Sequence, residues 1–249
     1  MKALLTYVLR QGDRALVLAQ RLLEHVTHAP EIEEDTALAN LALDLIGQSR
    51  ALYTYAGEVE GEGNDEDHFA YWRDPHEFVN PLLVEQPNRD FGHVIVRQFL
   101  HDAFALPYWQ AMTRASDATL AALAGKAEKE TAYHLRHSRA WVVRLGDGTP
   151  ESHRRAQAAV DTLWRYTGEL FDRDHVDEEL VAAGVAPDSA VLAGQWRSIV
   201  ESTLAEATLA CPAGVVMQHG GRTGRHTEGF SYLLGELQVV ARAHPGATW

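Results

Sequence analysis

Apolar residues recur with helical spacing along most of the chain, and strict alternation of apolar and polar residues is scarce. This spacing is typical of amphipathic α-helices rather than β-strands. We expect helices over residues 2–26, 33–58, 90–115, 117–145, 150–172, 188–209 and 227–243. Since the first four are long, the pattern predicts an all-α protein in which a four-helix bundle carries additional helices towards the C-terminus.

Residues 59–88 lack a helical pattern and combine acidic, glycine and proline positions with isolated aromatics. A loop of this length inside a compact domain is usually functional or forms an interface. Two roles stay open for its aromatic side chains: they could anchor another subunit, or they could hold the loop against its own core. The aromatics are Phe69, Tyr71, Trp72 and Phe78.

Acidic residues and a histidine interrupt the apolar faces of the long helices. An ionised carboxylate that is buried without a partner is unfavourable, so such a residue is paired, protonated or bound to a cation. The interrupting residues are Asp44, Asp102, Glu130 and His134, with Gln20 or Glu24 as the best candidate on the first helix.

Carboxylates and imidazoles that converge from several helices are what a di-iron or di-manganese centre requires, with a Glu-x-x-His unit on each of two helices. Here Gly47 stands three residues after Asp44, and Tyr133 stands three residues after Glu130. The spacing therefore counts against a complete centre, although Glu130 and His134 share a helix face and partial coordination stays open. We favour a metal-free polar cluster in which a charged His134 lies beside the carboxylates.

Composition and charge exclude several other classes of protein. The 249 residues carry a formal net charge of −13, which disfavours binding to nucleic acid or an anionic membrane. Cys211 is the single cysteine, which rules out an internal disulfide and a cysteine-based zinc site. No stretch approaches the ~20 apolar residues of a membrane span, and charged residues interrupt the N-terminus before a signal core forms. We predict one cytoplasmic domain over residues 1–249.

Six stretches of the chain together resemble one protein family. Their order and spacing are similar to those of the C subunits of bacterial phenylacetyl-coenzyme A ring-1,2-epoxidases, which are multicomponent monooxygenases, and the resemblance covers the whole chain. The stretches are "YVLRQGDRALVLAQRL" (7–22), "ALANLALDLIGQSR" (37–50), "NPLLVEQPNRDF" (80–91), "KETAYHLRHSRAWVVRLGDGT" (129–149), "LWRYTGELFD" (163–172) and "GRHTEGF" (224–230).

The resemblance implies a ferritin-like fold and a division of labour. In that family a catalytic A subunit holds the di-iron centre and epoxidises the aromatic ring. The C subunit has lost the metal ligands and pairs with A as a structural partner, while a B subunit and a reductase complete the complex. The resemblance thus implies no catalytic residue and no cofactor in this chain, and it implies self-association of isolated copies through the surface meant for A.

On this interpretation the polar residues of the bundle are remnants of a metal site, namely Asp44, Gly47, Asp102, Glu130 and His134. Two alternatives stay open. The chain could be an active di-iron or di-manganese oxidase that uses the four ionisable residues of that set. It could also be a helical adaptor unrelated to oxygenases.

A basic, glycine-rich segment, "QHGGRTGRHTE" at 218–228, precedes the last expected helix. Its backbone amides with Arg222 and Arg225 could cradle an anion such as a coenzyme A phosphate. The segment lacks the Gly-Lys-Ser/Thr of a phosphate-binding P-loop. We favour the alternative, a turn whose arginines neutralise acidic neighbours.

Overall fold

The computed structural model describes residues 2–247, and in that range the chain forms helices and no strand. The all-α prediction is therefore confirmed. Met1, Thr248 and Trp249, which the single-domain prediction includes, lie outside the described residues. The α-helices are α1 (Lys2–Leu23), α2 (Ile32–Glu60), α3 (Phe91–Met112), α4 (Ala118–Gly146), α5 (Pro150–Leu163), α6 (His175–Ala182), α7 (Ser189–Glu206) and α8 (Glu228–Ala243).

The long helices form two hairpins, because α1 packs mainly on α2 and α3 packs mainly on α4. α5 and α7 pack against α3, and α6 packs against α1. Side-chain caps fix the starts of α3 and α4, among others: Asp90 accepts a hydrogen bond from the His93 amide (2.8 Å), and Asp117 accepts one from the Leu120 amide (2.9 Å). No helix within residues 2–247 is long and apolar enough to cross a membrane.

The region after α5 differs from the prediction of one helix over 150–172. The α-helix ends at Leu163, and two short 3₁₀ segments, Trp164–Tyr166 and Gly168–Phe171, follow it. In the second of these segments Gly168 packs closely on Met217: a Cβ at position 168 would lie 2.8 Å from Cγ of Met217. The sequence also failed to predict α6, because eight residues are too few to show helical periodicity.

The segment between α2 and α3 is folded against the bundle although it contains no long helix. It contains a π-turn (His68–Trp72), a 3₁₀ turn (Pro75–Glu77) and irregular backbone. Phe69 and Phe78 are buried in the core, so these two aromatics hold the segment against its own protein. Trp72, by contrast, is exposed.

Asp13 of α1 fixes the middle of this segment. Its fully buried carboxylate accepts hydrogen bonds from the Tyr53 hydroxyl (2.5 Å) and the Val79 amide (2.8 Å), and it forms an ion pair with Arg73. Arg73 is itself buried beneath the ring of Phe78, 4.1 Å from its centroid. The ion pair between Asp13 and Arg73 therefore joins α1 to this segment within the protein interior.

Glu85 fixes the end of the same segment to the C-terminal region. Its buried carboxylate accepts hydrogen bonds from the Thr227 amide (2.6 Å), His226 Nδ1 (2.7 Å) and Asn80 Nδ2 (3.1 Å). Burial alone would lower the pKa of His226, but the Glu85 carboxylate outweighs it and the pKa is raised. Thr227 precedes α8, so Glu85 also sets where that helix begins.

We predict that Asp13→Asn strongly destabilises the chain, because it leaves the Arg73 guanidinium buried without a counter-charge. Breaking a buried ion pair from one side costs about 3–5 kcal/mol, and chemical denaturation at neutral pH measures the loss. Asp67→Asn is the matched control, since Asp67 is exposed in the same segment and should change the free energy of unfolding by less than about 0.5 kcal/mol. Equal losses of stability in Asp13→Asn and Asp67→Asn would contradict this role of the buried ion pair.

Candidate functional site

Asp44 and His134 join α2 to α4. His134 Nε2 lies 3.0 Å from Asp44 Oδ2. His134 is buried, but the Asp44 side chain is 40% exposed, so the expectation that Asp44 is buried among apolar neighbours is wrong. The neighbouring Leu43 is 60% exposed. The apolar run of α2 extends onto the surface because this helix packs closely on α1 and only lightly on α4.

The charge of His134 also differs from the expectation of a charged imidazole. Burial lowers the pKa of His134 below its ordinary value, although Asp44 and Glu130 act in the opposite direction. The imidazole is therefore neutral at neutral pH, and its Nε2–H donates to the Asp44 carboxylate. A neutral histidine does not compensate the negative charge of its neighbours.

Glu130 is held by two other side chains. Gln48 Nε2 donates to Glu130 Oε2 (3.0 Å), and Lys126 Nζ lies 3.3 Å from Glu130 Oε1. Gly47, at the position where the metal-binding motif needs histidine, also faces this lysine: a Cβ there would lie 3.9 Å from Lys126 Nζ. The Lys126 ammonium thus lies beside the Glu130 carboxylate, next to Gly47.

Asp102 belongs to a separate, fully buried cluster. Ser138 Oγ donates to Asp102 Oδ2 (2.8 Å), and Gln98 Nε2 (2.7 Å) and His101 Nδ1 (3.2 Å) lie against Oδ1. Burial raises the pKa of Asp102 well above its ordinary value, although the bonds from Ser138 and Gln98 lower it. Burial likewise lowers the pKa of His101 well below its ordinary value. Burial therefore favours the neutral forms of both Asp102 and His101.

The predicted ligand residues thus divide among three sets, centred on Asp44, Glu130 and Asp102. Each set satisfies its carboxylate with its own donors. Across residues 2–247 no group of three or more His, Cys, Asp or Glu side chains lies where it could hold a metal ion. The arrangement does not fit a two-metal carboxylate centre.

The first-helix candidates are also engaged elsewhere or lie near the surface. Gln20 is partly exposed and Glu24 is exposed. The Glu24 carboxylate accepts two bonds from Arg21 Nη1, at 2.9 and 3.0 Å. Sequence reasoning missed Gln98, His101 and Lys126 as partners of these carboxylates. Gln98 precedes Asp102 by four residues, and Lys126 precedes Glu130 by four residues. This spacing places each pair on one helix face and was the signal that could have identified Gln98 and Lys126.

The glycine-rich segment 218–228 binds a carboxylate of the chain itself. Glu169, which is buried, accepts hydrogen bonds from the amides of Leu82 (2.7 Å), Gly220 (2.9 Å) and Arg222 (3.0 Å). Two of these donors are the backbone groups expected to cradle an external anion. They are already occupied.

The two arginines of this segment have different surroundings. Arg222 Nη2 donates to Asp177 Oδ2 (2.5 Å), and its other terminal nitrogen donates to the Asp172 carbonyl. Arg225 is exposed. The structure therefore does not bring Arg222 and Arg225 together with free amides around one anion site.

Two comparisons place the chain among known proteins. A family model described as "Phenylacetic acid catabolic protein" matches residues 1–249. The chain is also 46% identical over 249 residues, covering 100% of both sequences, to an Escherichia coli (strain K12) protein named as the C subunit of 1,2-phenylacetyl-CoA epoxidase.

The buried Asp102 cluster predicts a particular pH dependence of stability. Because the folded pKa of Asp102 is raised, its contribution is complete below the ordinary value near 3.8 and is lost as pH rises through the folded pKa. We therefore expect wild type to lose stability relative to Asp102→Asn as pH rises from about 4 towards neutral, by up to about 1.4 kcal/mol per pH unit. Urea denaturation across this range measures the difference. Parallel curves for the two proteins would contradict a raised pKa, and Asp67→Asn again serves as the exposed control.

Proposed function

Because the chain belongs to the phenylacetic acid catabolic protein family, we propose that it is the non-catalytic C subunit of a phenylacetyl-CoA epoxidase. Its role is to bind and stabilise the catalytic A subunit, which carries the di-iron centre of the complex. The name of the full-length relative supports the place in that complex. The observation that carries the non-catalytic role is that the bundle carboxylates are bound by donors of the chain itself.

Charge balance within the bundle supports this role. A di-metal centre balances several carboxylates with two cations. In this chain the Lys126 ammonium lies beside Glu130, and the raised pKa of Asp102 favours its neutral acid form. Asp44 is partly solvated, so water screens its charge. The polar residues thus reach a low-energy arrangement that needs no metal ion.

We propose the outer surface of α2 and α4 as the place where the A subunit binds. Leu43 of α2 is 60% exposed and Tyr133 of α4 is 45% exposed. Leu43 and Tyr133 directly precede Asp44 and His134 in the sequence. The hydrogen bond between Asp44 and His134 connects α2 to α4. Exposed apolar side chains that lie close together mark protein interfaces, whereas single ones are common on any protein surface. In isolated chains the same surface would support self-association, and the B subunit and the reductase would join the assembled pair.

Co-expression with the A subunit tests this proposal. We expect the wild-type chain to co-purify with A, and we expect Leu43→Glu to weaken the association at least about tenfold, because it introduces a charge into an apolar contact. Titration of purified A with each variant, followed by analytical ultracentrifugation, measures the effect.

Val239→Glu is the matched control, since Val239 is 58% exposed on α8 and lies outside the proposed surface. Failure of the wild-type chain to bind A would overturn the proposed function. Loss of binding in Val239→Glu with normal binding in Leu43→Glu would overturn only the choice of surface.

A further inference from the structure

A pocket separate from the bundle carboxylates opens beside the first half of α1. It is an open cleft, and the space between its walls is about 540 Å³ when the solvent at its mouth is included. α1 supplies Tyr7 and Arg14, α3 supplies Phe104, and α7 supplies Ser189 and Leu192. Apolar and aromatic walls with a small number of polar groups are typical of small-molecule sites.

Arg14 is the unusual residue of this pocket. It is only 5% exposed, and within residues 2–247 its guanidinium lies against three aromatic rings rather than an acidic side chain. Its Cζ lies 4.8 Å from the ring centroid of Tyr108, 5.0 Å from that of Phe104 and 5.9 Å from that of Trp109. Burial lowers the pKa of Arg14. Aromatic faces stabilise a cation only in part, so a buried arginine is normally paired with an anion.

The neighbouring acidic groups are already engaged. Asp177 lies against Arg10 (3.5 Å) and Arg222 (2.5 Å). Both oxygens of Glu169 accept backbone hydrogen bonds, with Leu82 at 2.7 Å on one and Gly220 at 2.9 Å on the other. Asp172 Oδ2 lies 2.7 Å from His219 Nδ1. Each of the three carboxylates that line the pocket is therefore paired with a group other than Arg14.

The two phenols beside Arg14 do not supply a negative charge either. The Tyr7 and Tyr108 hydroxyls lie 2.9 Å apart, and burial raises the pKa of Tyr108 to about 12. Burial also raises the pKa of Tyr7 well above its ordinary value. Both hydroxyls are therefore neutral at neutral pH, and they are bonded to each other and to Met112 Sδ (3.6 Å).

Two further polar atoms of the same wall have no partner. Gln11 Oε1 and Arg10 Nε are buried and make no hydrogen bond within the described part of the chain. Both residues line the pocket. Buried polar atoms normally have hydrogen-bond partners. A bound ligand or an ordered water in the pocket would supply the partners of these two atoms.

We propose that this pocket binds a small organic carboxylate, whose anion pairs with the Arg14 guanidinium and whose apolar body packs against Phe104 and Leu192. A carboxylate supplies the missing negative charge in a planar form that matches a guanidinium. The aromatic and aliphatic wall favours a ligand with an apolar body over a bare inorganic anion. The inference rests on the Arg14 surroundings and is independent of the proposed role in the complex.

Titration of the full chain with phenylacetate and with phenylacetamide, its neutral analogue, tests the proposal. We expect phenylacetate to bind with a dissociation constant on the order of 1 mM, as suits a ligand of this size, and phenylacetamide to bind at least about tenfold more weakly. Isothermal titration calorimetry or saturation-transfer NMR measures both. Equal affinity for the two compounds would overturn the proposal, as would no binding of phenylacetate up to about 10 mM.

Paired variants locate the site. Arg14→Gln should weaken phenylacetate binding at least about tenfold, whereas Arg225→Gln removes an exposed arginine and should leave it unchanged. If Arg14→Gln does not fold, Ser189→Trp decides, because it fills the pocket from the start of α7 and keeps Arg14. Ser202→Trp is its control, since Ser202 is exposed on the same helix and does not line the pocket. Binding that survives Ser189→Trp would overturn the assignment.

Discussion

Buried carboxylates must receive hydrogen bonds or a counter-charge from the protein itself, and this requirement organises the chain outside the four long helices. Asp13, Glu85 and Glu169 have almost no contact with solvent. Each draws donors from segments that lack regular structure: Val79 for Asp13, Asn80 and Thr227 for Glu85, and Leu82 and Gly220 for Glu169. The irregular segment between α2 and α3 is thereby fastened at several points. It also forms part of the wall around Arg14, since Val79 and Pro81 line that pocket.

The same requirement explains the polar residues at the centre of the bundle. Glu130 has the Lys126 ammonium beside it, and Asp102 has a raised pKa and lies among neutral donors. These carboxylates are satisfied without an external cation, which supports a structural role within the proposed complex. Arg14 is the contrasting case, a buried cation whose neighbours are three aromatic rings. One physical rule thus favours carboxylates satisfied by the chain in the bundle and the binding of an anion in the pocket beside α1.

The sequence predicted the helices well where periodicity was long and less well where tertiary contacts decide the backbone. The four long helices appear close to their expected bounds. Helix α5 ends at Leu163, and the segments after it bring Gly168 against Met217, a contact that no local pattern reveals. Asp44 was expected to be buried because its neighbours are apolar, but Leu43 beside it lies on the surface. Periodicity gives the apolar face of a helix, whereas the partners of Glu169 and the isolation of Arg14 depend on residues distant in sequence.

Metal analysis of the purified chain, alone and after co-expression with the A subunit, tests the central claim most directly. The account predicts that the isolated chain binds no stoichiometric iron or manganese, and that iron appears in the co-purified pair and remains there when the chain carries His134→Gln. About two metal ions per isolated chain, lost in His134→Gln, would contradict the account and identify the chain as an oxygen-activating enzyme.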